Sequence, residues 1–161
     1  MDTTGSSWGE FEAASPALAD TGLRLLYQGS DLASAFLATV APDGGPRVHP
    51  IFPVVADGEL WLFIVNMSPK YRDLVRNGRF ALHSFPLPEG GEEFYVRGRA
   101  EPIVDGVVKR QVVAATDGRQ GNLDFEALFQ CTLQSVLHTK WKDWGTASTW
   151  PSYTKWRGSA L

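Results

Sequence analysis

Three features are scarce in this sequence of 161 residues, and each scarcity excludes a class of protein. Cys131 is the single cysteine, so the chain cannot be held together by internal disulfides. The longest strongly apolar run covers only residues 60–65, whereas a membrane-spanning helix needs about 20 apolar residues. Lysine and arginine number 15 against 18 aspartate and glutamate residues, so no positive excess is available for nucleic acid phosphates. We therefore predict neither a membrane span nor a nucleic acid partner.

Familiar nucleotide-binding motifs are also missing. The chain has no G-x-G-x-x-G and no G-x-x-x-x-G-K-[ST] segment, which argues against the common dinucleotide and nucleotide sites. The three histidines, His49, His83 and His138, stand far apart, so no metal site is predicted. The N-terminus has neither a basic start nor an apolar stretch, so we expect no secretory signal and a cytoplasmic location. The motifs leave the catalytic residues unknown.

Turn-forming residues are abundant, with 16 glycines and 10 prolines. They separate short apolar segments that are typical of strands, over residues 35–40, 47–55, 60–65, 80–85, 93–100 and 125–141. Short turns between strands require antiparallel pairing, so we predict a mainly β fold, a small barrel with flanking helices. Residues 1–14 are small and polar and are interpreted as a loosely held arm. Residues 15–161 are predicted to form a single domain.

The segment Ser68-Pro69-Lys70 combines three features at the start of a predicted helix. Serine is a favoured capping residue, and proline suits the first helical position. The first N–H groups of a helix have no partners within it, and its dipole favours an anion there. A lysine at this end is disfavoured unless an anion pairs with it. Lys70 therefore either points into solvent or faces a phosphate or carboxylate, and the spacing alone leaves both interpretations open.

Two predicted strands adjoin this helix start. The apolar strand over residues 60–65 ends just before it, and Arg47-Val48-His49-Pro50 lies on the strand that precedes it. Prolines interrupt a strand's hydrogen-bond ladder and can leave backbone groups free for a ligand. A ligand with a phosphate at one end and a flat ring at the other would fit such a place. The alternative for His49 is a satisfied polar side chain at the barrel rim.

These residues resemble a known family. The series over residues 36–40, 42–50, 60–63, 68–74, 77–82 and 93–100 is similar to the pyridoxamine 5′-phosphate oxidase-like FMN-binding split-barrel family. The similarity covers roughly residues 32–101, and its ordered series is more specific than any single motif. The resemblance implies a six-stranded antiparallel Greek-key split barrel, a homodimer, and one FMN at each of two sites along the subunit interface.

The resemblance assigns one group of residues to the phosphate end of FMN and another to its chain and ring. Lys70 matches the family's basic residue on the phosphate, with help from Ser68, and Arg47 matches an arginine near the same phosphate. Phe63 and Ile64 match the strand end that packs along the ring and the ribityl chain.

The remaining assignments concern the polar edge of the ring and the partner subunit. Val48, His49 and Pro50 match the segment whose backbone lines the isoalloxazine ring. The partner subunit usually completes the pocket from its C-terminal half, and Lys140 and Trp141 are the candidates there. Four of the six tryptophans lie within the tail that begins at Trp141, which is typical either of aromatic packing at an interface or of a wall for a flat ligand.

The function implied by the resemblance is an FMN-dependent oxidoreductase that acts on a small-molecule substrate. Residues 153–157 lack the Arg-x-His substrate motif of the true oxidases, so pyridoxamine phosphate is not the predicted substrate. Two alternatives use the same fold: a reductase that depends on a 5-deazaflavin, and a non-enzymatic flavin-binding or sensor protein. Related split barrels also bind haem.

Overall fold

The computed structural model describes residues 5–158. Its four helices are α1 (Trp8–Ala14), α2 (Pro16–Tyr27), α3 (Pro69–Asn77) and α4 (Gly106–Ala115). Its eight strands are β1 (Ala35–Val40), β2 (Pro46–Ile51), β3 (Val54–Ala56), β4 (Glu59–Val65), β5 (Arg79–Ser84), β6 (Glu92–Ile103), β7 (Glu126–Lys142) and β8 (Trp150–Arg157). No helix in this part of the chain is long and apolar enough to cross a membrane.

The strands form one antiparallel sheet in the order β2-β1-β5-β6-β7-β4-β3, and β8 pairs with the second half of β7. This confirms the predicted mainly β split-barrel fold with flanking helices. The described residues hold eight strands rather than the implied six. One reason is that the strand predicted over residues 47–55 divides into β2 and β3 at Phe52-Pro53, where proline has no N–H for a ladder. The other is that β8 adds a strand beside β7.

Strand β4 is buried on both faces, as its uninterrupted apolar sequence predicts. Leu60, Leu62 and Ile64 point into the main core of the barrel. Trp61 and Phe63 point the other way, into a second apolar cluster with residues of α4 and β7. The strand therefore separates two cores, and its C-terminal end leads directly to α3.

The N-terminal segment is the main departure from the predicted architecture. Trp8–Ala14 forms α1 rather than a loosely held arm, and Trp8 and Phe11 are buried in the main core. Ser7 and Glu10 form a reciprocal capping box that fixes the start of this helix. The predicted arm is therefore wrong for these residues, because two large aromatic side chains outweigh the polar residues around them. Its first part, residues 1–4, lies outside the described residues.

Candidate functional site

The start of α3 is built as its sequence predicts. The hydroxyl of Ser68 accepts a hydrogen bond from the Tyr71 N–H (3.3 Å) and donates one to the Val65 carbonyl (2.7 Å). Pro69 occupies the first helical position, where its missing N–H costs nothing. Gly78 ends the helix in the left-handed conformation that glycine adopts most easily. These local contacts fix the N-terminus of α3 at the end of β4.

This N-terminus offers fewer free donors than a helix start usually does. Pro69 has no N–H, the Tyr71 N–H is capped by Ser68, and the Arg72 N–H lies 3.5 Å from the Ser68 carbonyl. Among residues 5–158, no group accepts a hydrogen bond from the Lys70 N–H. The hydroxyl proton of Ser68 is already committed to Val65. Ser68 therefore positions the helix, and the predicted help from its hydroxyl on a phosphate would require that bond to break.

Lys70 is half-buried, and burial lowers the pKa of its ammonium group from the usual range. Among the described residues, no carboxylate lies within ion-pair distance of it. A cation that loses part of its hydration without gaining an anionic partner is unfavourable. Of the two interpretations of Lys70, its burial favours the one in which it faces an anion.

The same helix carries a buried carboxylate that the sequence did not predict. Asp73, one helical turn after Lys70, is only 2% exposed. Its Oδ2 accepts hydrogen bonds from Thr39 Oγ1 and Arg47 Nε, each at 2.8 Å. Its Oδ1 lies 3.4 Å from a guanidinium nitrogen of Arg76. Asp73 therefore links α3 to β1 and β2.

The pKa of Asp73 reflects two opposing effects. Burial raises it, but hydrogen bonds from Arg47 and Thr39 and the positive charges of Arg47 and Arg76 together lower it by more. The net result is a pKa below the ordinary range, so the carboxylate is ionised at neutral pH. The contact from Arg47 uses its Nε and leaves the two terminal guanidinium nitrogens free for another acceptor.

His49 lies on the same face of β2 as Arg47, because alternate residues of a strand share a face. Its Nε2 is buried and has no hydrogen-bond partner among the described residues. Burial lowers the pKa of the imidazole, and the charges of Lys70 and Arg47 lower it further against an opposing effect of Asp73. His49 is therefore neutral at pH 7. The alternative of a satisfied polar side chain is wrong for this nitrogen, because no residue of the described chain forms a hydrogen bond with it.

Val48 and Pro50 point to the opposite face of β2 from His49. Both are exposed, and they pair across the ladder with Ala38 and Phe36 of β1. In the described chain β2 pairs only with β1, so its other backbone edge has no strand neighbour. This edge therefore has backbone groups without a strand partner, and their use by a ligand stays a prediction.

Phe63 and Ile64 cannot both line a ligand with their side chains. They are adjacent on β4, so one faces the second cluster and the other the main core, where Ile64 is fully buried. A contact of Ile64 with a ligand would therefore have to use its backbone, whereas Phe63 borders a cavity next to Ile51 and Phe52. The assignment of this strand end to the ring and ribityl chain stays a prediction. Beyond Trp61, the edge of β4 that faces away from β7 has no strand neighbour in the described residues.

Lys140 and Trp141 are not brought to Lys70 within one chain. β4, which leads to Lys70, pairs with the first residues of β7, whereas Lys140 pairs with Glu92 and Ser152 at the far end of this long strand. Trp141 lies there against Trp144, with ring centroids 5.7 Å apart. One chain therefore does not bring Lys140 and Trp141 to Lys70, and their assignment to a partner chain stays a prediction.

The geometry defines a class: an antiparallel split barrel with open edges at β2 and β4, beside which α3 holds a half-buried cation. Comparison with known proteins gives the family. Residues 30–128 match the sequence model of the pyridoxamine 5′-phosphate oxidase family, and the chain belongs to that family. A search of curated protein sequences finds no significant match.

Many solved structures share the fold at low sequence identity. The heme storage protein HutZ from Vibrio cholerae is 18% identical over 71% of this chain and 89% of its own, with a TM-score of 0.59. A structure described as an F420 reductase is 23% identical over 71% of this chain and 94% of its own, with a TM-score of 0.55. ChuZ from Campylobacter jejuni is 13% identical over 88% of this chain and 60% of its own, with a TM-score of 0.65. At these identities the likeness establishes the fold alone.

Proposed function

We propose that this protein is an FMN-dependent oxidoreductase acting on a small-molecule substrate other than pyridoxamine phosphate. The observation that carries the proposal is the half-buried, unpaired ammonium of Lys70 beside the unpartnered Nε2 of His49, in the part of the chain described. Both groups lie by the open edges of the barrel. When bound, FMN would supply hydride or electron transfer, while the protein binds and orients it.

The residues present fit each end of this cofactor. Lys70, its free N–H and the terminal nitrogens of Arg47 are donors suited to a phosphate. The open edge of β2 and the neutral imidazole of His49 are suited to the polar edge of a flavin ring. Phe63 is only 6% exposed, so little of its side chain is available to the ring. The proposal assigns no side chain the role of an acid or a base.

FMN is favoured over a 5-deazaflavin by the number of free cationic groups. In the described part of the chain, Arg76 pairs with Asp73, which leaves Lys70, the exposed Arg72 and the terminal nitrogens of Arg47 for an anion. A 5-deazaflavin with a long anionic tail would need more cations than these. A visible spectrum of the purified protein separates a bound flavin from haem, and competition between FMN and a 5-deazaflavin ranks the two. Reduction of bound FMN by a nicotinamide cofactor then separates an oxidoreductase from a non-enzymatic flavin carrier.

Replacing Lys70 with alanine is expected to weaken FMN binding by about 10- to 100-fold, as for the loss of one charged hydrogen bond. Quenching of flavin fluorescence during titration of apoprotein measures the dissociation constant. Arg72→Ala is the matched control, because it removes a positive charge from the adjacent, exposed position of the same helix. We expect Arg72→Ala to change the affinity by less than about threefold. Equal affinities of the native and Lys70→Ala proteins would remove Lys70 from the site, and no binding by the native protein would reject FMN.

We further propose that two copies associate through the outer face of β1 and β2. Val48 is 61% exposed and Phe36 is 37% exposed on this face. Apolar side chains on an exposed sheet face mark interaction surfaces. A second copy could also supply Lys140 and Trp141, which are distant from Lys70 in one chain, to the pocket around Lys70.

Replacing Val48 with glutamate is expected to convert the dimer to a monomer without unfolding it, because the side chain is largely exposed. Light scattering coupled to gel filtration would then give 17.7 kDa instead of twice that mass. Val104→Glu is the matched control, because Val104 is 98% exposed on the loop before α4. A monomeric native protein, or a dimer that survives Val48→Glu, would contradict the proposed interface.

A further inference from the structure

A cavity of about 450 Å³ lies on the outer face of the sheet, over the adjacent strands β1, β5 and β6. Ala38 and Ala81 border it and pair directly across β1 and β5. Their chain neighbours Leu37 and Leu82 point into the main core, so both alanines face outward. Two small side chains at paired positions leave a depression in the sheet surface. Its volume lies within the range of about 300–1,000 Å³ that is usual for small-molecule sites.

A β-bulge brings a polar side chain to the edge of this cavity. Arg97 of β6 pairs with Ser135 of β7, whereas the next residue, Gly98, pairs with Leu133, so Gln134 is an extra residue in β7. Gln134 borders the cavity. Bulges redirect side chains and are frequent next to ligand sites. The irregularity in this ladder therefore adds an amide group to the rim of the depression.

Two arginines, Arg79 and Arg97, border the cavity, and no carboxylate of the described residues does. Arg97 donates from its Nε to the Ser135 hydroxyl at 3.0 Å, which orients the guanidinium and leaves its terminal nitrogens free. Over residues 5–158, neither arginine lies within ion-pair distance of a carboxylate. Arg97 pairs with Ala81, two residues along β5 from Arg79. Such diagonal neighbours are about 7–8 Å apart, so two long side chains can reach the same anion.

A third arginine increases the positive charge next to the cavity. Arg99 of β6 lies directly opposite Arg79 of β5. Like charges at directly opposite positions of a sheet are destabilising. Arg99 donates to the Asn77 carbonyl at 2.9 Å, but this neutral acceptor does not cancel its charge. An anion bound between Arg79 and Arg97 would reduce the repulsion.

We propose that this cavity binds a small phosphorylated molecule, with its phosphate on Arg79 and Arg97 and an apolar part over Ala38 and Ala81. Guanidinium groups bind phosphate through paired N–H donors. A phosphate monoester carries about −1.5 to −2 charges at pH 7, which matches the two arginines. The site is independent of the proposed function, because none of the residues that border the cavity is assigned to FMN.

The test compares phenyl phosphate with phenol, which has the same ring but no charge. In amide NMR titrations of the native protein without FMN, we expect phenyl phosphate to shift the Ala81 and Gly98 resonances and to bind about tenfold more tightly than phenol. Arg79→Gln and Arg97→Gln should each weaken phenyl phosphate binding by about tenfold. Arg110→Gln should not, because Arg110 is exposed on α4 and does not border this cavity. Circular dichroism checks that the variants fold.

Two further variants separate this cavity from the sites proposed above. Lys70→Ala should bind phenyl phosphate as the native protein does, and loss of binding in this variant would place the phosphate at α3 instead. Val48→Glu, which is designed to give a monomer, should also retain binding, because one chain supplies both arginines.

Three other outcomes would overturn the proposal. They are equal affinities of the native protein for phenyl phosphate and phenol, binding that neither Arg79→Gln nor Arg97→Gln weakens, and binding that occurs in Val48→Glu but not in the native protein. The last would show that a second copy covers the cavity. Because these titrations contain no FMN, a failure of FMN to bind leaves their result interpretable, and the two proposals can fail separately.

Discussion

Replacing Phe11 with alanine is expected to lower the free energy of unfolding by about 3–5 kcal/mol, the usual cost of removing a fully buried aromatic ring. Phe11 is fully buried in the main core. Its ring lies edge-on to Trp8, with centroids 5.3 Å apart, and 4.9 Å from the ring of Trp156 on β8. The side chain thus joins α1 to the last strand, and its removal would leave a cavity between them.

Urea denaturation monitored by circular dichroism measures this loss. Glu12→Ala is the control, because it changes the next residue of the same helix at an exposed position and should alter stability by less than about 0.5 kcal/mol. If the two variants unfold at the same urea concentration, α1 does not contribute to the core in solution.

The local rules of the sequence predict the elements that hold the site. Ser68, Pro69 and Gly78 give the start and end of α3, because caps and left-handed glycines depend on near neighbours. The apolar run of β4 likewise predicts a strand buried on both faces. These features need no knowledge of distant contacts, which explains why they are found correctly.

Features that depend on contacts between distant parts of the chain are not predicted from the sequence. Trp8 and Phe11 have helical spacing, and Ser7 with Glu10 is a capping-box pattern, but only the core of the barrel makes this short helix stable. Nothing local signals that the segment packs there. The small polar residues around the segment therefore lead to the prediction of a loosely held arm.

The buried face of α3 shows the same limit for the site itself. Apolar periodicity predicts that Tyr71, Leu74 and Val75 are buried, yet Val75 is exposed and Asp73 is buried instead. A carboxylate can occupy that position only because Arg47 and Thr39 reach it from strands far away in sequence. Their pairing is a property of the sheet register, which one sequence does not reveal.

Replacing Asp73 with asparagine is expected to lower the free energy of unfolding by about 2–3 kcal/mol at pH 7. The variant keeps the shape of the side chain but removes the charge that faces Arg47 and Arg76. Loss of one partner from a fully buried ion pair costs more, about 3–5 kcal/mol. The smaller value is expected here because both arginines remain partly exposed to water.

The difference in the free energy of unfolding between the native protein and Asp73→Asn should decrease as the pH falls. Because the pKa of Asp73 is lowered by folding, its ionised form stabilises the native state above the unfolded pKa of 3.8. This contribution is lost as the pH falls through the folded pKa. Urea unfolding of both proteins at pH 7 and at successively lower pH should therefore show the native protein approaching Asp73→Asn only in acid. Asp20→Asn, at an exposed position on α2, should track the native protein at every pH. A difference for Asp73→Asn that stays constant into strong acid would mean that packing, rather than charge, explains the loss.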